Sequence, residues 1–206
     1  RRAARLEGAK LSVRCCWAMS PERAGIVDSL RGTVLPKLTY PPERVLLDPA
    51  NSRETDPEIL EATVAATGRL AAEVDVTVSA NRYETKELAS VLGDHTGEDL
   101  VEDAKVAYDA LDVDRFVGHS VSQSVVVSED GTKSVDVTPV ESPALTTSAG
   151  DHFNAGLALG LVEGVPEHAA VALGNALARE FVRTGETPTY DDVVAAIESY
   201  DEQFAE

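Results

Sequence analysis

The segment TTSAGDHFNAG, residues 146–156, carries the most informative pattern in this chain. Small residues directly precede a stretch of helical period, so the backbone there can come close to a ligand. The first N–H groups of a helix have no internal hydrogen-bond partners, and together with the helix dipole they suit a phosphoryl group. Asp151 would repel such a group unless it serves the chemistry, for example by taking a proton from an acceptor hydroxyl.

The same residues also allow a purely structural interpretation. Ser148 could be the N-cap of the helix, with Asp151 as the matching acid three positions later, which is a capping box. On these residues alone, the capping arrangement is the favoured one. The wider sequence is therefore needed to decide what the segment does.

Around this segment, short apolar runs alternate with stretches of helical period. We predict strands at 11–19, 45–47, 74–78 and 116–118, and helices starting near residues 20, 56, 84, 96, 150, 166 and 190. Asp130-Gly131, between two β-rich runs, predicts a late β-hairpin. This alternation predicts an α/β fold, with a mainly parallel, doubly wound sheet in a three-layer sandwich, as a single domain over residues 1–206.

Two of the helix starts have a capping residue followed by proline and an acid, at residues 20–22 and 56–58. Proline is favoured at the first helical position because its missing N–H is not needed there. We expect Ser20 to cap the first helix, and Ile26, Val27 and Leu30 to form its core-facing side.

The charge balance is strongly acidic, with 36 acidic against 18 basic residues and a formal net charge of −18. Such a surface repels phosphate backbones and anionic lipids, which excludes sequence-independent binding of nucleic acid or membrane as a main activity. The acids are dispersed along the chain and resemble those of proteins adapted to high salt. Cys15 and Cys16 predict two buried free thiols, and with no apolar run long enough to cross a bilayer we expect a cytoplasmic protein.

With its context, the 146–156 segment resembles the signature of the ribokinase-like (PfkB-type) carbohydrate kinases, usually Thr-Thr-Gly-Ala-Gly-Asp followed by an apolar helix. Gly160-Leu161, Asn175-Ala176 and residues 184–188 resemble segments that lie after this signature in members of that family. Residues 81–84 resemble the family's Asn-x-x-Glu motif. The resemblance covers the C-terminal two-thirds of a typical member, without the N-terminal lid region.

This resemblance implies a kinase that transfers the γ-phosphoryl group of ATP to a hydroxyl of a sugar or nucleoside. Asp151 would be the general base, and the backbone N–H groups of Ala149, Gly150 and Asp151 would form the anion hole. We expect the Asp151 carboxylate to face a cleft rather than bulk solvent. The nucleotide would be bordered by Ser148, Asn175, Gly185 and Gly118.

The resemblance also implies that Asn81 and Glu84 organise Mg²⁺ near the phosphates. Taken by themselves, these two residues are equally well explained as a cap and its matching acid at the start of a helix. Asp48, at the end of a predicted strand, begins a segment (48–51) that either borders the nucleotide or makes a turn.

Three departures from the family pattern stand out. Ser148 replaces the usual glycine, and serine restricts φ. His152 stands where a small residue is usual, either affecting the charge of the base or lying solvated on the helix. The loop after Gly118 lacks a second glycine. Because the resemblance does not cover the lid region, we expect the chain to be a fragment, to have a partner that supplies the rest, or to be a reduced member of the family. The alternatives to a kinase are a nucleotide-binding module without turnover and an assembly subunit in complex with a lid-bearing partner. A homodimer is a separate expectation.

Overall fold

A computed structural model of the chain describes residues 6–14, 20, 22–49, 56–93, 97 and 99–198. The described residues form two compact units, one drawn from residues 6–118 and 126–132 and the other from residues 119–125 and 133–198. Its strands are β1 Leu11–Arg14, β2 Arg44–Leu47, β3 Asp75–Asn81, β4 Arg115–His119, β5 Gln123–Ser128 and β6 Gly131–Asp136. Its α-helices are α1 Arg23–Ser29, α2 Pro57–Ala71, α3 Arg82–Gly93, α4 Leu100–Leu111, α5 Ala149–Glu163, α6 Glu167–Thr184 and α7 Tyr190–Glu198.

The six strands lie in one sheet in the order of the sequence, from β1 to β6. β1 pairs with β2 and β2 with β3 in parallel, so that Leu47 lies opposite Val78. Parallel neighbours joined by helices are the expected result of alternating strand and helix signals. The predicted α/β class with a mainly parallel sheet is confirmed, and the carboxyl ends of β2 and β3 share one edge.

The late hairpin is present as well. β5 and β6 are neighbours in the sheet, and only Glu129 and Asp130 separate them along the chain. Gly131 has a φ of +100°, a conformation that side-chain-bearing residues rarely adopt. The glycine of the Asp-Gly pair therefore allows the chain to reverse, as its sequence predicted.

The central strands are buried along most of their length because they are covered on both faces, and β3 includes the buried polar residues Thr77 and Ser79. Val45 and Leu46 on β2 and Val76 on β3 are completely buried. Full burial of one such side chain contributes roughly 1.5–3 kcal/mol to folding.

The first helix departs from its prediction. α1 begins at Arg23, with Glu22 as its N-cap, rather than at position 21. The Ser20 hydroxyl accepts a hydrogen bond from the Glu22 N–H at 3.3 Å, so it caps the turn before the helix. Arg23 and Val27 form the buried side, which leaves Ile26 50% exposed and makes its predicted core position wrong. The predicted core residue Leu30 is buried, at the start of a π-helical turn, Leu30–Val34.

Aspartates cap α2 and α4, and the start of α2 lies next to its predicted position. Asp56 caps α2 by accepting a hydrogen bond from the Glu58 N–H at 2.9 Å. At α4 the cap is Asp99, which accepts from the Val101 N–H at 2.8 Å. The predicted thiols at Cys15 and Cys16 lie outside the described residues. No helix in the described part of the chain is long and apolar enough to span a membrane.

In the second unit, α5 and α6 cross with their backbones in close contact. A Cβ at Gly156 would lie 2.5 Å from the carbonyl oxygen of Leu173, and one at Gly174 would lie 2.8 Å from the Phe153 ring. Atoms at these distances overlap, so both positions require glycine. This crossing fixes α5, which carries the candidate catalytic residues at its N-terminus.

Candidate active site

The turn before α5 holds Ser148 in a glycine-like conformation. Ser148 is the N-cap residue, with φ 72° and ψ 10°, and its side chain makes no capping hydrogen bond. An ordinary capping serine has β-region backbone angles and a hydroxyl that accepts from the first turn. The capping-box interpretation of Ser148 and Asp151 is therefore wrong. The left-handed backbone costs a residue with a Cβ about 1–2 kcal/mol.

Two backbone N–H groups at this turn have no hydrogen-bond partner among the described residues: those of Gly150 and Asp151. The Ala149 N–H, by contrast, donates to the Thr146 carbonyl at 3.2 Å. The first helical bond of α5 runs from the His152 N–H to the Ser148 carbonyl, also at 3.2 Å. Two of the three amides predicted for the anion hole are thus available, and that of Ala149 is engaged.

The Asp151 side chain is exposed, and Ala149 and Gly150 are partly buried. The carboxylate sits on the first turn of α5, beside the two available amides. Its exposure contradicts the expectation that it is screened from bulk solvent. The described residues of this chain therefore do not supply that screening.

Two histidine rings flank the turn. His119 stacks on Phe153 with ring centroids 4.3 Å apart, and its Cε1 would lie 3.8 Å from a Cβ at Gly150. Burial lowers the pKa of His119 to about 4, so the ring is neutral at pH 7. His152 stacks on Phe181 with centroids 3.8 Å apart.

His152 also makes two polar contacts and is half-buried, so it does not simply extend into solvent from the helix. Its Nδ1 lies 2.9 Å from the Ser148 carbonyl oxygen, and its Nε2 lies 3.3 Å from the Thr187 hydroxyl. The contact with Ser148 could be expected from the sequence, because residues four apart on a helix are neighbours. The contacts with Phe181 and Thr187 could not, because these residues are distant in the sequence.

The residues predicted to border the nucleotide have different environments. Asn175, on α6, is 6% exposed, and the Ser124 hydroxyl donates to its Oδ1 at 2.7 Å. Gly185 ends α6 with φ 75°, and its N–H donates to the Phe181 carbonyl at 2.7 Å. Gly118 is buried within β4.

In the first unit, Asn81 and Glu84 form a complete capping box at the start of α3. Glu84 Oε2 accepts from the Asn81 N–H at 2.9 Å, and Asn81 Oδ1 accepts from the Glu84 N–H at 3.1 Å. Glu84 is only 8% exposed. Burial raises the pKa of Glu84, and the nearby carboxylates of Asp48 and Glu87 add to this against the opposing hydrogen bonds from Asn81.

These carboxylates bear on the predicted Mg²⁺ site. Among the described residues, no group of three or more His, Cys, Asp or Glu is arranged to hold a metal ion. Mg²⁺ usually keeps several waters and binds one or two carboxylates together with substrate phosphates, so a smaller donor set suffices. Glu84, buried at the sheet edge where Asp48 adds negative charge, fits that requirement. The sequence analysis did not predict that Asp48 lies near Glu84, although Asp48 follows β2 and the Asn81–Glu84 motif lies at the end of the neighbouring parallel strand β3.

Comparison with known families decides the relationship. A model of the prokaryotic ketohexokinase family matches residues 1–200. The chain belongs to this family. A ketohexokinase of Haloferax volcanii is 41% identical over 199 residues, which are 97% of this chain and 53% of that protein. The chain thus spans about half the length of this curated relative.

Solved structures confirm the ribokinase-like fold. Ribokinase from Thermotoga maritima superimposes with a TM-score of 0.68 at 20% identity, over 96% of this chain and 60% of that one. A fructokinase from Vibrio cholerae, solved with fructose, ADP and calcium ion, gives a TM-score of 0.63 at 19% identity, over 92% and 61%. At these identities the likeness shows the fold alone. The predicted membership of the ribokinase-like carbohydrate kinases is confirmed by the family match and this fold together.

Proposed function

We propose that this chain acts as a sugar kinase, transferring the γ-phosphoryl group of ATP to a hydroxyl group of a ketohexose. The observation that carries the proposal is the turn at Ser148, where a strained backbone leaves the Gly150 and Asp151 N–H groups without partners next to the Asp151 carboxylate. Family membership and the ketohexokinase name of the Haloferax volcanii relative support a ketohexose over a nucleoside as acceptor.

In this proposal, Asp151 accepts the proton of the acceptor hydroxyl. At the same time the hydroxyl oxygen forms a bond to the γ-phosphorus, and the bond between that phosphorus and the leaving ADP oxygen breaks. The N–H groups of Gly150 and Asp151 donate to the oxygens of the transferred group. A fixed donor of this kind can lower a barrier by about 3–4 kcal/mol. Ala149 contributes by holding the turn through Thr146.

Glu84 and Asn81 would hold a hydrated Mg²⁺, with Asp48 adding negative charge nearby. When bound, Mg²⁺ neutralises charge on the phosphates. Ser148, Asn175, Gly185 and Gly118 would border the nucleotide. A single domain over residues 1–206, a cytoplasmic location and a homodimer remain predictions.

Asp151→Asn tests the base, in the protein at its full natural length with Mg·ATP and D-fructose. We expect kcat to fall about 10²- to 10⁴-fold with little change in KM or in stability, since the removed charge is exposed and acts only in proton transfer. Asp191→Asn, at an exposed acid in the first turn of α7, is the matched control and should leave kcat unchanged. Unchanged phosphorylation of every accepted sugar by Asp151→Asn would reject the role.

A second candidate function is nucleotide binding without turnover, which the exposure of Asp151 favours. Titration calorimetry with Mg·ATP, run beside a transfer assay over a broad sugar panel, separates the two. Binding with transfer supports the kinase, and binding without transfer supports the binding module. Absence of both would leave the assembly role.

A further inference from the structure

The His152 ring connects three segments of the second unit. It lies against Phe181 of α6 with an interplanar angle of 12°, while its two nitrogens contact the Ser148 carbonyl and the Thr187 hydroxyl. Thr187 belongs to the loop that follows Gly185, the C-cap of α6. The ring therefore joins the turn before α5 to the end of α6 and the loop beyond it.

The partners of the ring fix its tautomer. A carbonyl oxygen can only accept a hydrogen bond, so Nδ1 must carry a proton to donate to Ser148 at 2.9 Å. In the neutral ring Nε2 is then an acceptor, and the Thr187 hydroxyl donates to it at 3.3 Å.

The contact with Ser148 falls at the strained point of the turn. The Ser148 carbonyl accepts from both the His152 N–H and the His152 ring. Since Ser148 has no capping bond from its own side chain, the ring supplies a side-chain restraint on this left-handed residue. That carbonyl shares its peptide plane with the Ala149 N–H, and the Gly150 and Asp151 N–H groups lie in the next two planes along the chain, so its orientation affects where they point.

Independent contacts hold the receiving side in place. The Ala144 N–H donates to the Val182 carbonyl at 2.8 Å, which ties the chain before the turn to the end of α6. A Cβ at Gly185 would lie 3.5 Å from the Ala144 Cβ, so the loop packs on the same segment. The His152 ring thus contacts the end of α6 and a loop that other contacts hold in place.

We propose that His152 is a positioning residue that holds the Ser148 turn so that the Gly150 and Asp151 amides meet the transferred phosphoryl group. The inference rests on the proposed function for the identity of that group. It assigns to His152 a role through Ser148, without contact to the substrate. Purely structural packing of the ring is the competing explanation.

Three variants separate the contacts of the ring. His152→Phe keeps an aromatic ring against Phe181 and removes both hydrogen bonds. His152→Asn keeps a short-range donor toward the Ser148 carbonyl and loses the ring stack. Thr187→Val removes only the hydroxyl that faces Nε2, and His168→Phe, at an exposed histidine on α6, is the matched control.

We expect His152→Phe to lower kcat about 10- to 100-fold with KM for sugar and ATP within about twofold, because misplaced donors act on the transition state. In His152→Asn, a large part of the lost kcat should be recovered. The kcat of Thr187→Val should lie between those of His152→Asn and wild type, and that of His168→Phe should match wild type. In ¹H–¹⁵N NMR spectra of the ligand-free protein, the Gly150 and Asp151 resonances should move in His152→Phe, while that of Gly164, beyond the far end of α5, should not.

The two readouts keep the proposals apart. If the wild-type protein transfers no phosphate, the proposed function fails, and the Gly150 and Asp151 resonances still decide whether His152 positions the turn. Unmoved resonances would overturn the positioning role. If the protein is an active kinase, two further results would overturn the positioning role. One is an unchanged kcat in His152→Phe. The other is a loss of kcat in His152→Asn that is as large as in His152→Phe and parallels the fall in melting temperature.

Discussion

Asn81 and Glu84 hydrogen-bond each other reciprocally at the start of α3, at 2.9 and 3.1 Å. Each satisfies a backbone N–H that the helix itself leaves without a partner. The capping role needs only an acceptor oxygen at position 84, which glutamine also provides. The proposed Mg²⁺ role needs the negative charge, which glutamine lacks. One substitution therefore separates the two roles, which these residues by themselves support equally and of which the Asp151 motif favours the metal role.

We predict that Glu84→Gln leaves the free energy of unfolding at pH 7 unchanged or raises it. Burial raises the pKa of Glu84 in the folded state, so the contribution of this group to stability falls as the pH rises from its unfolded pKa through its folded one. At pH 7 the ionised form is a cost that glutamine removes. In the same variant, the Mg²⁺ concentration for half-maximal rate should rise about 10- to 100-fold.

Urea denaturation and a Mg²⁺ titration of the initial rate measure the two effects. Asp56→Asn is the control, since asparagine caps as well as aspartate does and α2 has no proposed metal role. An unchanged Mg²⁺ requirement in Glu84→Gln would show that Glu84 serves as a cap alone.

Ser148 gives a second prediction, on stability. Because its side chain makes no capping bond, Ser148→Ala should change the free energy of unfolding by less than about 0.5 kcal/mol, where an ordinary cap would lose about 1 kcal/mol. Ser148→Gly should gain about 0.5–1 kcal/mol, since relief of the left-handed backbone exceeds the entropy cost of glycine. Urea denaturation checks both values. A loss of about 1 kcal/mol or more in Ser148→Ala would mean that the hydroxyl caps α5 after all.

The sequence predicted the elements whose signals are local. The strand at 45–47 and the helix starting at Asp56 follow from an apolar run and from an aspartate-proline start, and both are present. Ile26 shows where the local signal fails. A helix of seven residues is too short for its sequence to decide which of two faces is buried. In the structure Arg23 is buried, and the face that it belongs to excludes Ile26.

The turn before α5 was predictable from the sequence, whereas its side-chain contacts were not. The 146–156 pattern identified the turn, and Ser148 was recognised as standing where glycine is usual, but its left-handed φ depends on the folded surroundings. The stacks of His119 on Phe153 and of His152 on Phe181 join residues far apart in the sequence. No periodic pattern encodes such pairs, because tertiary packing alone brings them together.

The neutral ring of His119 leads to a prediction about pH. Its folded pKa of about 4 lies below the ordinary 6.5, so the unfolded chain binds the proton more readily. The stability that this group contributes is complete above pH 6.5 and is lost as the pH falls toward 4. Between about pH 7 and pH 5 the loss should be about 2 kcal/mol.

Urea denaturation at constant ionic strength and at both pH values measures this loss. His119→Phe keeps a ring to stack on Phe153 and cannot titrate, so its stability should fall by about 2 kcal/mol less than wild type over the same range. His168→Asn, at an exposed position, should follow wild type. An equal pH dependence in His119→Phe and wild type would mean that the ring titrates normally in the folded protein.

The last prediction concerns the crossing of α5 and α6. Replacing glycine by alanine inside a helix ordinarily gains up to about 1 kcal/mol. At Gly156 the new Cβ would lie 2.5 Å from the Leu173 carbonyl oxygen, and backbone atoms yield only if a helix moves. We expect Gly156→Ala to lower the free energy of unfolding by about 1–3 kcal/mol.

Gly32→Ala is the matched control for this crossing, because a Cβ there would meet no atom within 4 Å. It should leave stability unchanged or slightly raised when both variants are measured by urea denaturation. A shift of α5 would also move Asp151 and the Gly150 amide, so Gly156→Ala should lower kcat as well as stability. If Gly156→Ala proved as stable and as active as Gly32→Ala, the two helices would have to lie further apart than this structure places them.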